Sequence, residues 1–183
     1  MLEKFTLTAE EWKNAMRMGG ENAWINNDHP LVHPIPYSDH LFKTVEAAYK
    51  FAKFQQFPVE NREFLSICLD HKLSAQEVRN GEHRLHVILK ISEIWEEIRY
   101  GIMLVLNREK YLQNSDLAQS LMATHPHPIV EISRVRDRSG KVWDDRYWGV
   151  CVGEDGDVMR AEGCNAMGRI AMQIRDELRA LSL

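Results

Sequence analysis

The sequence predicts an α+β domain with a mainly helical body and a few short strands, and three observations lead there. Apolar residues recur at three- and four-residue spacing through most of the chain. The stretches without that period are short or punctuated by proline. No repeat and no Pro/Gly/Ser-rich linker divides the 183 residues, so one domain over residues 1–183 is expected. A chain of this length buries roughly 70% of the surface its unfolded form exposes, and 44% hydrophobic residues supply a core for it without staples.

Thr8 and Glu11 have capping-box spacing ahead of Trp12 and Met16, which predicts a first short helix ending before Gly19-Gly20. From 21 to 42 the prolines at 30, 34 and 36 alternate with apolar residues, so extended segments are expected, with a hairpin around Ser38-Asp39. A stretch of that length without helical period is usually functional. Thr44 caps a helix through Val45, Ala48, Phe51, Ala52 and Phe54, and Pro58 ends it or starts the next. Further helices are expected near 59–69, from Ser74, and from 86 to 106, where Val87, Ile91, Ile94, Trp95, Ile98, Ile102 and Met103 form a broad apolar stripe. Asn114 or Ser115 starts another, stopped by Pro126 and Pro128. Residues 129–133 read as a strand, Ser139-Gly140 as the turn to a second strand at Val142-Trp143, and Asn165 to Leu181 as the last helix.

Composition excludes several function classes. Lys and Arg number 23 against 27 Asp and Glu, a net charge of −4, so the chain lacks the broad basic footprint that grips a long nucleic-acid backbone. One modified base or a small anion at a local basic cleft stays open. Cys68, Cys151 and Cys164 are widely spaced with no CxxC or zinc-spaced His, which reads as free thiols, and no metal or cofactor is expected. The start of the chain has no basic stretch followed by an apolar run, and no apolar stretch reaches the roughly 20 residues of a membrane helix, so a cytoplasmic location is expected. Phosphate-loop, dinucleotide, zinc-protease and serine-hydrolase motifs are missing, and His125 and His127 read as surface or structural.

Three segments carry residues that can do chemistry. Glu46, Tyr49, Lys50 and Lys53 stand at i, i+3, i+4 and i+7 of one helix, placing a carboxylate, a phenol and two amines on one face. Spacing alone favours an ordinary Glu46–Lys50 surface pair, worth roughly 0.2–0.5 kcal/mol. Asp144 to Gly149 sets acids and Arg146 beside Tyr147 and Trp148; the aromatics suit base stacking, and equally a core behind a loop. Gly163-Cys164-Asn165 opens the last helix, whose free amides suit an anion, although Gly163 and Asn165 also read as ordinary capping residues.

Taken in order, these segments resemble the NADAR family, named for its proposed link to NAD and ADP-ribose. Trp24-Ile25-Asn26-Asn27 resembles its early aromatic segment, and Phe42 to Phe54 resembles its helix with Glu, an aromatic and Lys at fixed offsets. Trp95, Met103 and Lys110-Tyr111 match its central helix; Leu121, Thr124 and Val130-Glu131 follow; Asp145-Arg146-Tyr147-Trp148-Gly149 resembles Asp-x-x-Trp-Gly; and Gly163-x-Asn165-x-Met167-Gly168 resembles the closing helix. Ala47 and Lys50 stand where His and Gln are common, and 134–143 resembles an insertion.

The resemblance implies cleavage of N-glycosidic bonds to ribose, in phosphoribosylated riboflavin intermediates or in ADP-ribosylated guanine of nucleic acid. The partner is then a ribosyl phosphate or ADP-ribosyl substrate. It implies catalytic roles for Glu46, Lys53 and Asp145, and substrate contacts from Trp24, Asn26, Asn27, Tyr49, Lys50, Trp95, Arg146, Tyr147, Trp148, Gly149 and Asn165. Glu46, Lys53, Asp145 and Trp148 are expected on one concave pocket. The rival reading is a non-catalytic ADP-ribose or nucleotide binding module, disfavoured because anion binding gives no reason for acids in the pocket. A helical protein-interaction domain leaves the ordered matches unexplained.

Overall fold

The computed structural model describes residues 2–56, 61–84, 93–133, 135–136, 142–143, 145–152 and 161–181. In chain order its elements are α1 (Ala9–Asn14), β1 (Met16–Arg17), a 3₁₀ turn (Ala23–Ile25), β2 (Ile35–Tyr37), β3 (His40–Phe42), α2 (Val45–Phe54), α3 (Arg62–Leu69), α4 (Ala75–Arg84) and α5 (Glu93–Gln113). After them come α6 (Ser115–Ala123), β4 (Ile129–Val130), β5 (Val135–Arg136), β6 (Val142–Trp143), β7 (Val150–Cys151), β8 (Glu162–Gly163) and α7 (Ala166–Leu181). The fold is thus α+β and mainly helical, with every strand among the described residues two or three residues long. Two compact units divide it: Asn27–Leu117, and Met1–Asn26 with Ala118–Leu183.

In the unit Asn27–Leu117, β2 and β3 form a hairpin with Tyr37 opposite His40. Ser38 and Asp39 bridge them with φ of 45° and 62°, the left-handed pair that a two-residue turn of matching twist requires. Helix α2 is the centre of this unit. Val45, Ala47, Ala48, Tyr49, Phe51, Ala52 and Phe54 are all buried, leaving a narrow strip for Glu46, Lys50 and Lys53. Thr44 caps it, its hydroxyl accepting from Ala47 N–H at 3.1 Å. Phe54 meets Phe64 of α3 edge-on at 4.9 Å, Phe51 meets Phe42 at 5.3 Å, and Tyr49 meets Trp95 of α5 at 5.2 Å. Each such fully buried ring contributes about 1.5–3 kcal/mol.

In the other unit β1 runs parallel to β4, Met16 opposite Ile129 and Arg17 opposite Val130, and β7 pairs antiparallel with β8. Trp12, Val130, Val150 and Ala161 pack together there, with Phe5, Leu7, Ile132 and Val152 against them. Helix α7 lies on β4 and carries a buried Arg175, whose guanidinium donates to the His127 carbonyl at 2.7 Å and to the Thr124 hydroxyl at 3.2 Å.

The first helix ends before Gly19-Gly20 as expected, at Asn14, because Met16 and Met18 give their N–H groups to the carbonyls of Pro128 and Val130. Other expectations need correction. Residues 129–133 are not the first arm of a hairpin; Ile129 and Val130 are buried and pair with β1, while the partner of Val142–Trp143 is Val135–Arg136. The Ser139-Gly140 turn lies outside the described residues, as do Pro58 and 86–92, the expected start of the long helix, which runs on to Gln113. No helix among the described residues is long and apolar enough to cross a membrane.

Candidate functional site

Helix α2 and helix α4 build one polar cluster. The Glu46 carboxylate lies 3.7 Å from Arg79 and 4.0 Å from Lys50. Lys50 turns mainly to Glu82, at 2.5 Å, and Arg79 also reaches Asp28, at 3.4 Å. Only 15% of the Glu46 side chain is exposed, so this carboxylate is not part of a freely solvated surface pair. Lys53, one turn beyond Lys50, has its amine 5.3 Å from the Phe54 ring. Burial first, and then the charge of Lys50, hold that amine below its usual value, against the pull of Glu82, Glu96 and Glu46. An amine with a lowered pKa on the same helix strip as a shielded carboxylate is equipped for holding an anion and for nucleophilic attack.

Asn27 ties this cluster to α5. Its carbonyl accepts from Glu46 N–H at 2.9 Å, and so satisfies one of the free donors at the start of α2. Its side chain donates to the Met103 sulfur at 3.4 Å and accepts from Asn107 at 3.2 Å. Tyr49 and Trp95, expected to contact substrate, are 7% and 3% exposed and pack on each other, so they support α2 from behind. Trp24 lies within the 3₁₀ turn and Asn26 follows it, with Asn26 N–H bonded to Ala23 O; both are half-buried.

The second cluster, in the other unit, is of another kind. Asp145 is exposed, and one carboxylate oxygen accepts from Tyr147 N–H at 3.1 Å and Trp148 N–H at 3.0 Å, closing the turn that aims both rings. Tyr147 and Trp148 meet edge-on at 4.8 Å, and Arg146 pairs with Glu162 in solvent. The carbonyls of this turn then cap α7. Ala166 N–H donates to Tyr147 O at 3.1 Å, Met167 N–H to Trp148 O at 3.0 Å, and Asn165 N–H to Gly149 O at 3.2 Å. The expected anion seat is therefore corrected: these amides at the start of α7 hold protein carbonyls.

Asn165 is fully buried with φ of 51°, its amide accepting from Glu131 N–H at 3.0 Å and donating to Ile129 O at 2.9 Å, so it joins α7 to β4. Gly149 is there because a Cβ would stand 2.6 Å from that of Ser133 and 2.7 Å from Glu131 O. Glu46 and Lys53 belong to the unit Asn27–Leu117, whereas Asp145 and Trp148 belong to the unit containing α7.

Sequence reasoning missed Arg79, Glu82 and Asp28. Arg79 and Glu82 share a face of α4 at i and i+3, but in the sequence they are two polar residues on a polar helix. Only the packing of α3 and α4 on α2 makes them partners of Glu46 and Lys50. Among the described residues no group of three or more His, Cys, Asp or Glu is placed to hold a metal ion.

Comparison with known proteins agrees with this fold. The model of the NADAR domain matches residues 12–179. A riboflavin biosynthesis protein of Vibrio vulnificus is 38% identical over 84 residues, 46% of this chain and 18% of that protein, so the chain spans less than a fifth of that relative. The NMR structure of the Escherichia coli protein YbiA superposes with a TM-score of 0.65 at 19% identity, covering 92% of this chain and 86% of that one, a likeness of fold.

Proposed function

Because this chain belongs to the NADAR domain family, we propose that it is an N-glycosidase that hydrolyses the bond between a nitrogen and C1 of ribose. The substrate class is ribosyl or ADP-ribosyl, such as a phosphoribosylated riboflavin intermediate or ADP-ribosylated guanine. The riboflavin-related name of the Vibrio relative supports the first. The observation that carries the reading is Glu46: a carboxylate 15% exposed, paired with cations from two helices, with the lowered amine of Lys53 on the same strip of α2.

Breaking the C1–N bond develops oxocarbenium charge on the sugar. The Glu46 carboxylate opposes that charge or takes a proton from the water whose oxygen bonds to C1, while the departing nitrogen gains a proton. Lys53 holds a phosphate or the leaving base, and Asp145 is the second carboxylate to test. Arg79 and Lys50 fix the Glu46 carboxylate by ion pairing, and such fixed geometry is worth much of a catalytic barrier.

The experiment is to incubate the protein separately with ADP-ribosylated single-stranded DNA and with phosphoribosylated pyrimidine intermediates, and to follow released ribose products by mass spectrometry. Release from either substrate is expected. Saturable ADP-ribose binding with no product from any substrate favours a binding module and overturns the enzyme.

A further inference from the structure

Helix α5 carries two apolar faces. One is buried in the unit Asn27–Leu117, with Trp95, Met103 and Leu106 in the core. The other looks outward: Ile94, Ile98, Val105 and Leu112 are between 40% and 62% exposed, four of the seven large hydrophobic residues exposed among those described. Such a concentration on one helix differs from the single apolar residues scattered over any surface.

The spacing of this outer face is regular. Positions 94, 98, 101, 105, 108 and 112 alternate in steps of four and three, the seam of a two-stranded coiled coil, and hold Ile, Ile, Gly, Val, Arg and Leu. At 1.5 Å of rise per residue the seam is about 27 Å long. A depression of about 360 Å³ lies on it, lined by Tyr37, Glu97, Ile98, Gly101, Ile102 and Val105. Gly101 is a second observation. A Cβ built there meets no atom within 4 Å, so packing within the chain gives no reason for glycine, and glycine inside a helix lowers its stability relative to alanine. What a bare position on a helix surface permits is the close approach of another chain.

Reversed end to end, the seam is complementary to itself. About a two-fold axis at residue 103, position 94 stands opposite 112, 98 opposite 108 and 101 opposite 105. Ile94 then packs on Leu112, and Val105 enters the depression over Gly101, a large residue against the smallest. Arg108, the one charged residue of the seam, lays its stem on Ile98 of the other copy and brings its guanidinium to the neighbouring Glu97. Pairing in the same direction would instead set Arg108 against Arg108 and Gly101 against Gly101, a like-charge contact beside a void. We propose that this face of α5 binds a second copy of the chain in antiparallel register, forming a two-fold dimer. One helix seam sits at the small end of protein interfaces, under about 1,200 Å² in total, so the dimer is weak and forms at micromolar and higher concentrations. The pairing uses neither Glu46 nor a substrate and is independent of the glycosidase reading.

The test is sedimentation equilibrium of the whole protein from about 5 to about 500 µM, where the mass is expected to rise from one chain toward two. Val105→Glu, at an exposed site, weakens association by about tenfold or more, with the far-UV circular dichroism unchanged. If that variant does not fold, Gly101→Gln, at a site with open space around it, takes its place. The charges test the direction of pairing. Glu97→Arg and Arg108→Glu each weaken the dimer about tenfold by bringing like charges together, and the double variant recovers the parent affinity. That recovery also shows that neither single change acts by unfolding. A single-chain mass at every concentration overturns the proposal, as does a dimer that Val105→Glu leaves intact, or a double variant no tighter than the single ones.

Discussion

Glu46 and Asn165 both occupy positions that resemble NADAR motifs, yet the structure uses them in opposite ways. Around Glu46 the polar groups find one another: Arg79, Lys50 and Glu82 are side chains meeting side chains, with a little of each left to solvent. Around Asn165 they find backbone, with the amide seated between Ile129 O and Glu131 N–H and the turn at 145–149 closing on the amides of α7. A side-chain network that keeps some exposure can exchange partners with a substrate; a buried amide bonded to two backbone groups cannot without breaking the fold. On the proposed function, motif positions in one family divide into chemistry and architecture, and burial with partner type is what separates these two.

That division is open to measurement. Asn165→Ala leaves Ile129 O and Glu131 N–H without partners and places alanine at a positive φ, so a loss of roughly 3–4 kcal/mol is expected in urea denaturation. A loss below about 1 kcal/mol would move Asn165 back toward the ligand-binding group. The next largest effect concerns pH. With Lys110 folded near 7 and an unfolded lysine at its ordinary 10.5, the folded protein binds fewer protons than the unfolded chain between those values. Stability therefore rises with pH across that window, by a few kcal/mol in total, and is lost again as pH falls through about 7. Lys110→Met should flatten that dependence in denaturation curves recorded from pH 6 to 10. The smallest effect belongs to Arg146→Ala, whose pair with Glu162 sits in solvent; a change within about 1 kcal/mol is expected. A larger loss would show that the turn at 145–149 depends on that ion pair.

Much of the helical body was legible because apolar spacing is a local signal: α2, α3 and α7 follow from it within a few residues. The Ser38-Asp39 hairpin was legible too, since only a few residue types tolerate two successive left-handed conformations. The β1–β4 pairing was not. Two-residue strands over a hundred positions apart carry no periodicity, and their register is set by burial of Ile129 and Val130 that no window of sequence contains. The Glu46 face was visible as spacing, but its partners Arg79 and Asp28 come from other elements, and spacing alone favoured a solvated Glu46–Lys50 pair that the structure replaces with a shielded network. Lys110 was visible in the sequence only through the resemblance of Lys110-Tyr111 to the central helix of the family, and its burial in the core was not legible there.

The central claim is that Glu46 carries chemistry and not surface charge. Glu46→Gln keeps size and hydrogen-bonding capacity and removes the charge that opposes an oxocarbenium ion, so it should act on the transition state more than on the ground state. The measurement is a single-turnover rate and a ligand affinity on the same preparation of Glu46→Gln and parent protein. The account predicts that turnover is abolished while affinity stays within about tenfold, roughly 1.4 kcal/mol. An unchanged rate, with only a few tenths of a kcal/mol lost in stability as expected for an i,i+4 pair, contradicts it and leaves Asp145 as the carboxylate to test.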